Sequence, residues 1–241
     1  KHGDRLMGCA TAAGPAFEGA GLSSGIRAGD GAISRIAFQA NPFAVHTDMI
    51  GIEKRMHPAG ICGSAYIDFL AQARRIGLLM PTGRFDRAAG LDTADRLIPW
   101  NQNDLAFRLT HTEHARHIVI SQTDIAHLLQ AKAAIAAGIL TLLNQAGLQP
   151  SQIRKLYLAG GFGMHIDVTN AIACGLLPGF SPSQIQSVGN TALAGAYIAL
   201  MDSSILAELS RIGRRLQVVE LNLDPNFETT YIDQLLLPDV A

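Results

Sequence analysis

The chain has 241 residues, of which 48% are hydrophobic and 16% are charged, and its formal net charge is -1. This composition supports a buried core and fits one large domain or two small lobes. No run of Lys and Arg is longer than two residues, which argues against a nucleic-acid partner and against an anionic membrane surface. Charge or glycine breaks the apolar stretches before the ~20 residues that a bilayer span needs, so we expect no membrane segment.

The cysteines are odd in number and far apart, at Cys9, Cys62 and Cys174. This usage favours a reducing, cytoplasmic location over a disulfide framework. The sequence contains no CxxC pair that would hold zinc or an iron–sulfur cluster, so we expect no metal site within these residues. The chain opens on Lys1 with neither Met nor a signal-like segment, which indicates a fragment.

Apolar or alternating runs bounded by Gly, Asn and Pro predict the first strands, at RLMGCAT, GAISRIAF and FAVHTDMI. A helix is predicted over SAYIDFLAQARRIGLL, where Ile67, Leu70 and Ala71 keep helical spacing and Gly77 marks the end. Residues 81–117 are polar and weakly periodic, which predicts a surface excursion with a hairpin around FRLT.

The strongest helix signal is SQTDIAHLLQAKAAIAAGILTLLNQAGL, with a capping box at Ser121 and Asp124 and a stop at Gly147. Beyond it the sequence predicts strands at IRKLYLAGG, IQSVGN and LQVVEL. It predicts helices at VTNAIACGLL, TALAGAYIALMD, SSILAELSRIGRR and FETTYIDQLL. Because strands alternate with helices, we predict an α/β fold.

The turn AGPAFEGAG is the first candidate site. Gly14 before Pro15 is typical of a helix start, where free amides and the helix dipole attract an anion such as phosphate. Glu18 is a candidate catalytic carboxylate, although it would repel a phosphate unless a cation lay between them. The alternative is that Gly14 and Gly19 serve tight packing while Glu18 supports the helix end.

A second glycine cluster lies in IRKLYLAGGFG, where Gly160, Gly161 and Gly163 follow a strand and precede a helix. Ligands bind at such strand ends in α/β folds, and the absence of GxGxxG argues against a dinucleotide site. Lys132 lies on the apolar face of the long helix. Its amine either snorkels to solvent or reaches into a ligand cleft.

Other candidate residues have weaker patterns. The spacing of His111, His114 and His117 could gather a metal on one helical face, but the flanking sequence is β-like. Cys62 opens a helix, where a thiol pKa is depressed, or is a small packed residue. Cys9 lies on a predicted strand, which favours a place in the core.

Five motifs occur in the order CATAAGPAFEGAG, GICGSAYID, SQTDIAHLLQAKAAIAAGI, LAGGFG and VGNTALAGA. As a set they resemble the C-terminal domain of the reductive activators of corrinoid-dependent enzymes. That family belongs to the actin-like ATPase superfamily, with sugar kinases, heat-shock-cognate chaperones and acyl-CoA dehydratase activators. The resemblance implies an actin-like, ribonuclease-H-like α/β lobe with a mixed sheet flanked by helices, with a core over residues 1–200 and a helix–strand–helix extension over residues 201–241.

The resemblance also implies a function. Such activators use ATP and Mg²⁺ to drive electrons uphill from an N-terminal [2Fe-2S] domain to the corrinoid protein of a methyltransferase system, which reduces Co(II) to Co(I). They are expected to be cytoplasmic homodimers. Two alternatives stay open, a sugar-kinase-like phosphotransferase and a non-catalytic scaffold gated by nucleotide.

Carried onto this sequence, the resemblance implies ATP-binding residues in four places. These are the adenosine turn (Gly160, Gly161, Phe162, Gly163), the helix beside the adenine (Gln122, Asp124, Lys132), the turn near the phosphates (Gly14, Gly19), and the closing turn (Gly189, Asn190). Asn190 has the alternative role of a helix cap.

The superfamily holds phosphates and Mg²⁺ with two acidic hairpins of the pattern Asp-x-Gly-Thr, and this pattern does not occur in the sequence. The second hairpin would precede Lys1. We therefore expect a fragment without the first lobe, the iron–sulfur domain and the metal-holding aspartates, inactive as an ATPase by itself.

Overall fold

The structure is a computed structural model that describes residues 3, 5–51, 57–93, 95–110 and 117–239. Its strands are β1 (Leu6–Gly8), β2 (Ala32–Gln39), β3 (Ala44–Met49), β4 (Gly60–Ile61), β5 (Leu97–Trp100), β6 (Asp104–Arg108), β7 (Val119–Ser121), β8 (Leu156–Ala159), β9 (Ile185–Gly189) and β10 (Leu216–Val218). Its α-helices are α1 (Gly63–Arg75), α2 (Gln122–Ala146), α3 (Gly161–His165), α4 (Val168–Ala173), α5 (Thr191–Met201), α6 (Ile205–Arg215) and α7 (Phe227–Asp233).

The strands form small parallel and antiparallel sheets. In parallel pairs, β1 lies beside β10 and β8 lies beside β9. β2 lies between antiparallel β3 and parallel β4, and β5, β6 and β7 form an antiparallel sheet that contains the predicted hairpin. The predicted α/β class is confirmed, with mixed strand directions and helices packed against the strands.

The long helix α2 begins and ends as the sequence predicts. The Asp124 amide donates to Ser121 Oγ at 3.0 Å, the Ser121 amide donates to Asp124 Oδ2 at 2.9 Å, and Gly147 ends the helix with a φ of +68°. By length and composition alone α2 could cross a bilayer, but 61% of its most apolar window is buried inside the domain, as in a core helix.

Beyond the short strand β4, side chains of helix α1 accept hydrogen bonds from the amides of β2. Strand β4 pairs only with the first two residues of β2, so amides further along need other acceptors. Asp68 Oδ2 accepts from the Ile36 amide at 3.3 Å, and Gln72 Oε1 accepts from the Phe38 amide at 3.1 Å. These contacts fix α1 against β2 and place its first turn at the candidate site described below.

The C-terminal residues pack onto the rest of the chain. Strand β10 pairs with β1, α7 lies against α2, and Leu221 and Leu237 are buried. The division at residue 200 between a core and an extension stays a prediction. Helices α5 and α6 are less covered than these elements. They carry exposed large apolar side chains such as Tyr197, Leu200 and Leu209.

Candidate functional site

A cavity of about 310 Å³ lies where three of the sequence motifs meet. It is lined by Phe17 and Glu18 of the AGPAFEGAG turn, by Cys62–Ser64 at the start of α1, and by Gly161, Phe162 and His165 of α3, with residues 26–28 completing it. Ligand pockets span roughly 300–1,000 Å³, so the cavity is large enough for a small planar group.

Two aromatic rings hold the motifs together. Phe17 and Phe162 stack with ring centroids 5.5 Å apart and an interplanar angle of 20°. Gly63 passes against this pair so closely that a methyl group there would overlap the Phe17 carbonyl oxygen and lie 2.9 Å from the Phe162 ring. The three motifs therefore depend on one another for their packing.

The glycine turn presents bare backbone to open space. Gly160 follows β8 with a φ of +96°, and its amide donates to the Gly189 carbonyl at 2.7 Å. A Cβ atom on Gly160 or Gly161 would meet nothing within 4 Å, so a ligand can approach the main chain there. Gly163 has another role, because its Cβ would lie 3.1 Å from Leu158 Cβ and would crowd the packing of α3 on β8.

Long polar side chains lie at the rim of the cavity, and small side chains lie inside it. Glu18, Arg27 and His165 are exposed, whereas Cys62 and Ser64 are buried at 3% exposure each. Ser64 Oγ donates to the Ser34 carbonyl at 2.8 Å and lies 3.4 Å from Cys62 Sγ. The arrangement suits a ring that enters between the walls and carries a charged group outside.

The predicted helix start after Gly14–Pro15 is present, but the helix is a single short turn, and phosphate binding at this turn stays a prediction. The turn forms only a short 3₁₀ segment, Ala16–Glu18, and the Glu18, Gly19 and Ala20 amides donate to carbonyls within the turn. These amides are therefore not free to bind phosphate.

The two glycines of this turn lie apart from the cavity lining. Gly14 has a φ of +64° and its Cβ would meet open space. A Cβ on Gly19 would lie 2.6 Å from the Ile26 amide nitrogen, which supports the alternative of tight packing for that residue.

The polar residues of α2 do not line the cavity. Gln122 accepts from the Phe85 amide at 3.0 Å and donates to the Gly83 carbonyl at 2.7 Å. Asp124 accepts from the Ser23 amide at 2.8 Å besides closing the capping box. Contact between these side chains and ATP stays a prediction.

Lys132 does not reach solvent, so snorkelling is excluded for it. The residue has 0% exposure, and its Nζ donates to the Leu236 carbonyl at 2.7 Å. Burial lowers the pKa of Lys132 to about 8, and the neighbouring Cys174 opposes that shift. The amine joins the middle of α2 to the C-terminal segment, and its contact with ATP stays a prediction.

The closing turn lies beside the glycine turn through the bond between Gly160 and Gly189. Asn190 Oδ1 accepts from the Leu193 amide at 3.0 Å, so its side chain caps α5. The contact confirms the alternative role of Asn190 as a helix cap. A role in ATP binding stays a prediction.

The other candidate residues are the histidines and Cys9. His111 and His114 lie outside the described residues, and His117 is exposed beside β7. Across the parts of the chain that the structure describes, no group of three or more His, Cys, Asp or Glu is placed to hold a metal. Cys9 donates to the Gly138 carbonyl at 3.8 Å, and burial raises its pKa.

Arg27, Ser64 and His165 were missed as site residues by the sequence reasoning. Ser64 belongs to the motif GICGSAYID, so the signal for it was present. His165 lies on α3, which was not predicted, and no pattern marks Arg27.

A larger cavity, about 830 Å³, lies beside α7 and the residues that follow β10. Glu220, Asp224 and Glu228 line it together with apolar residues. It contains none of the glycine-turn backbone, so the smaller cavity is the better candidate for a nucleotide.

A comparison with protein families identifies the domain. The family model for the C-terminal domain of RACo, the ASKHA domain, matches residues 1–241. The chain belongs to this family.

Two curated relatives and one solved structure align along nearly all of this ASKHA domain. The corrinoid activation enzyme RamQ of Eubacterium limosum is 32% identical over 98% of the chain and 40% of its own length. A "[Co(II) methylated amine-specific corrinoid protein] reductase" of Methanosarcina barkeri is 24% identical over 98% of the chain and 43% of its own length. The solved "Reductive activator for corrinoid,iron-sulfur protein" has a TM-score of 0.87 and 35% identity, with 98% of the chain and 37% of that chain covered.

These matches confirm the actin-like fold and the family resemblance. The chain spans about two fifths of the length of its relatives. The cavity at the glycine turn belongs to this ASKHA domain. The relatives are considerably longer than the domain.

Proposed function

We propose that this domain is the adenosine-binding part of an ATP-dependent reductive activator of a corrinoid protein. The observation that carries the proposal is the cavity itself, where the motifs AGPAFEGAG, GICGSAYID and LAGGFG meet around bare glycine backbone. Motifs far apart in sequence line one cavity, as expected for residues that bind one ligand.

The cavity fits an adenosine group. The open space at Gly160 and Gly161 admits a flat ring against the main chain, and Phe162 and Ser64 supply apolar and polar neighbours. Arg27 at the rim is placed to attract a phosphate. When bound, ATP and Mg²⁺ supply the free energy of hydrolysis, and the residues of this domain bind and orient the nucleotide.

Glu18 is the carboxylate among the residues that line the cavity. It can attract the Mg²⁺ that we expect to accompany the phosphates of ATP. We place the other acidic groups of the phosphate site outside this sequence, because the Asp-x-Gly-Thr pattern does not occur in it.

The partner we propose is a corrinoid protein of a methyltransferase system, whose Co(II) receives one electron and becomes Co(I). The electron would come from a [2Fe-2S] domain outside this sequence. The relatives support this partner, because their names describe corrinoid activation and the reduction of a Co(II) corrinoid protein.

We also propose a cytoplasmic homodimer. Cys9, Cys62 and Cys174 are free thiols, as in proteins of reducing compartments. Exposed apolar side chains are concentrated on α5 and α6, and such surfaces are typical of protein–protein interfaces. Light scattering on the intact protein would test the dimer, and a monomer at micromolar concentration would contradict it.

The test of the proposed function is an absorbance assay with the intact protein and its corrinoid protein under a low-potential reductant. We expect Co(I) to form only when ATP and Mg²⁺ are present. Gly161→Val should abolish this dependence, while Gln72→Ala, on α1 but outside the cavity lining, should keep it. Reduction at the same rate without ATP would contradict the proposal, and phosphorylation of a small hydroxylated substrate would favour a kinase.

A further inference from the structure

The two walls of the cavity continue into one polar cluster just behind it. On the first wall, Ser64 lines the cavity and Asp68 follows one turn later on α1. On the second wall, His165 lines the cavity, and Asp167 and Asn170 follow at the start of α4. The cluster therefore lies between the elements that carry the walls.

Asp68 joins these elements directly. Its Oδ1 accepts from Asn170 Nδ2 at 2.7 Å, and its Oδ2 accepts from the Ile36 amide of β2 at 3.3 Å. An Arg35 guanidinium nitrogen lies 3.7 Å from Asp68 Oδ1 and 3.7 Å from Asp167 Oδ2. One carboxylate thus contacts β2, α4 and the arginine that also approaches the start of α4.

Asp68 is an energetically costly residue at this position. Its side chain is 2% exposed, whereas those of Arg35 and Asp167 are 42% and 41% exposed. Burial raises the pKa of Asp68, and the bonds from Asn170 and Ile36 oppose that shift. The Ile36 amide needs an acceptor at this position, but the neutral side chain of Gln72 meets the same need for the Phe38 amide, so the backbone alone does not call for a carboxylate here. A directional acceptor fixes the relative placement of α1 and α4, which apolar packing would leave freer to slide.

We propose that Asp68 is a positioning residue that sets the width of the cavity. Through Asn170 and Arg35 it holds the α3–α4 wall against the α1 wall, so that Phe162 and His165 stay at a fixed separation from Cys62–Ser64. The identity of the ligand rests on the proposed function, but the separation of the walls can be measured without any ligand.

The test exchanges the two residues of the 2.7 Å hydrogen bond, Asp68 and Asn170. Asp68→Asn removes the charge that attracts Arg35, and Asn170→Asp places two carboxylates in contact. In the double variant the amide introduced at position 68 can donate to the carboxylate introduced at position 170, so the contact is restored with reversed polarity. Gln72→Ala is the matched control, because Gln72 lies one turn further along α1 and its hydrogen bonds within the described chain go to β2 and Arg75.

Cys62 reports the opening of the cavity, and Cys174 reports global unfolding. Cys62 is 3% exposed on the cavity wall, and Cys174 is fully buried in the core. The intact protein with Cys9→Ala is treated with a small uncharged thiol reagent, and labelling of each cysteine is followed by mass spectrometry.

We expect Asn170→Asp to accelerate Cys62 labelling by about tenfold or more relative to Cys174, because two carboxylates in contact replace a buried hydrogen bond. Asp68→Asn should have a smaller effect, because the Asn170 amide can rotate and accept from the new amide at position 68. The double variant should return to within about twofold of the parent. Gln72→Ala should leave the ratio unchanged. The proposal is overturned if the ratio stays constant in Asn170→Asp, or if the double variant labels as fast as Asn170→Asp does.

A second arm measures ADP affinity by calorimetry on the same proteins. We expect weaker binding in the single variants and recovery in the double variant. If the parent binds no adenine nucleotide, the proposed function fails, while the labelling arm still decides whether Asp68 sets the width of the cavity.

Discussion

The buried amine of Lys132 gives the domain an unusual dependence of stability on pH. In the folded chain the side chain is fully buried and its pKa is lowered to about 8, while the unfolded chain has the ordinary value of 10.5. Above pH 8 the unfolded state therefore binds more protons than the folded state. The free energy of unfolding should rise with pH over this window.

The magnitude follows from the two pKa values. Between pH 7 and pH 9 the lysine should add about 1 kcal/mol to the free energy of unfolding. We stop at pH 9 because burial raises the pKa of Cys174 from 9.0 to about 11, which lowers stability at higher pH. Below pH 7 both states are protonated at Lys132, and the contribution should be flat.

The assay is urea unfolding of the parent protein and of Lys132→Met at several pH values from 6 to 9. Methionine keeps the apolar stem without the titrating amine, so the difference between the two proteins isolates Lys132. A parent that gains about 1 kcal/mol over the variant between pH 7 and pH 9 would agree with the burial of a charged amine. Parallel curves, or a difference that falls with pH, would refute the reasoning.

Three further substitutions test the site and its frame. Gly161→Val should fold normally, since its Cβ meets open space, yet weaken ATP binding by about tenfold or more, measured by calorimetry with Gly195→Val as control. Gly63→Ala should lower the free energy of unfolding by about 2 kcal/mol, because the methyl overlaps the Phe17 carbonyl, while Gly195→Ala should raise it in the same urea assay. Asn190→Ala should cost about 1 kcal/mol through loss of the α5 cap; unchanged ATP affinity would limit Asn190 to capping.

Much of the fold could be predicted because its signals are local. The capping box at Ser121 and the stop at Gly147 bound α2, and apolar runs mark β2, β3 and β8. The short elements β4, β7 and α3 could not be predicted. Strand β4 has two residues and exists because it pairs with β2, a contact between distant parts of the chain.

The site residues were likewise predictable where their signal is local, and not where it depends on contacts between distant parts of the chain. The glycine turn at Gly160–Gly161 was recognised from its own sequence, as was the motif that carries Cys62–Ser64. Helical spacing places Lys132 on the apolar face of α2, but it does not show that the Leu236 carbonyl meets its amine there. Pro15 likewise marks where the short helix starts, but it does not show that the Glu18, Gly19 and Ala20 amides bond within the turn.

The most direct test of the central claim is a crystal structure of the intact protein with bound ADP. We predict adenosine in the cavity of about 310 Å³, with its ring against the Gly160–Gly161 backbone and between Phe162 and Cys62–Ser64. Adenosine in the cavity beside α7, or anywhere that leaves the glycine turn bare, would contradict the account.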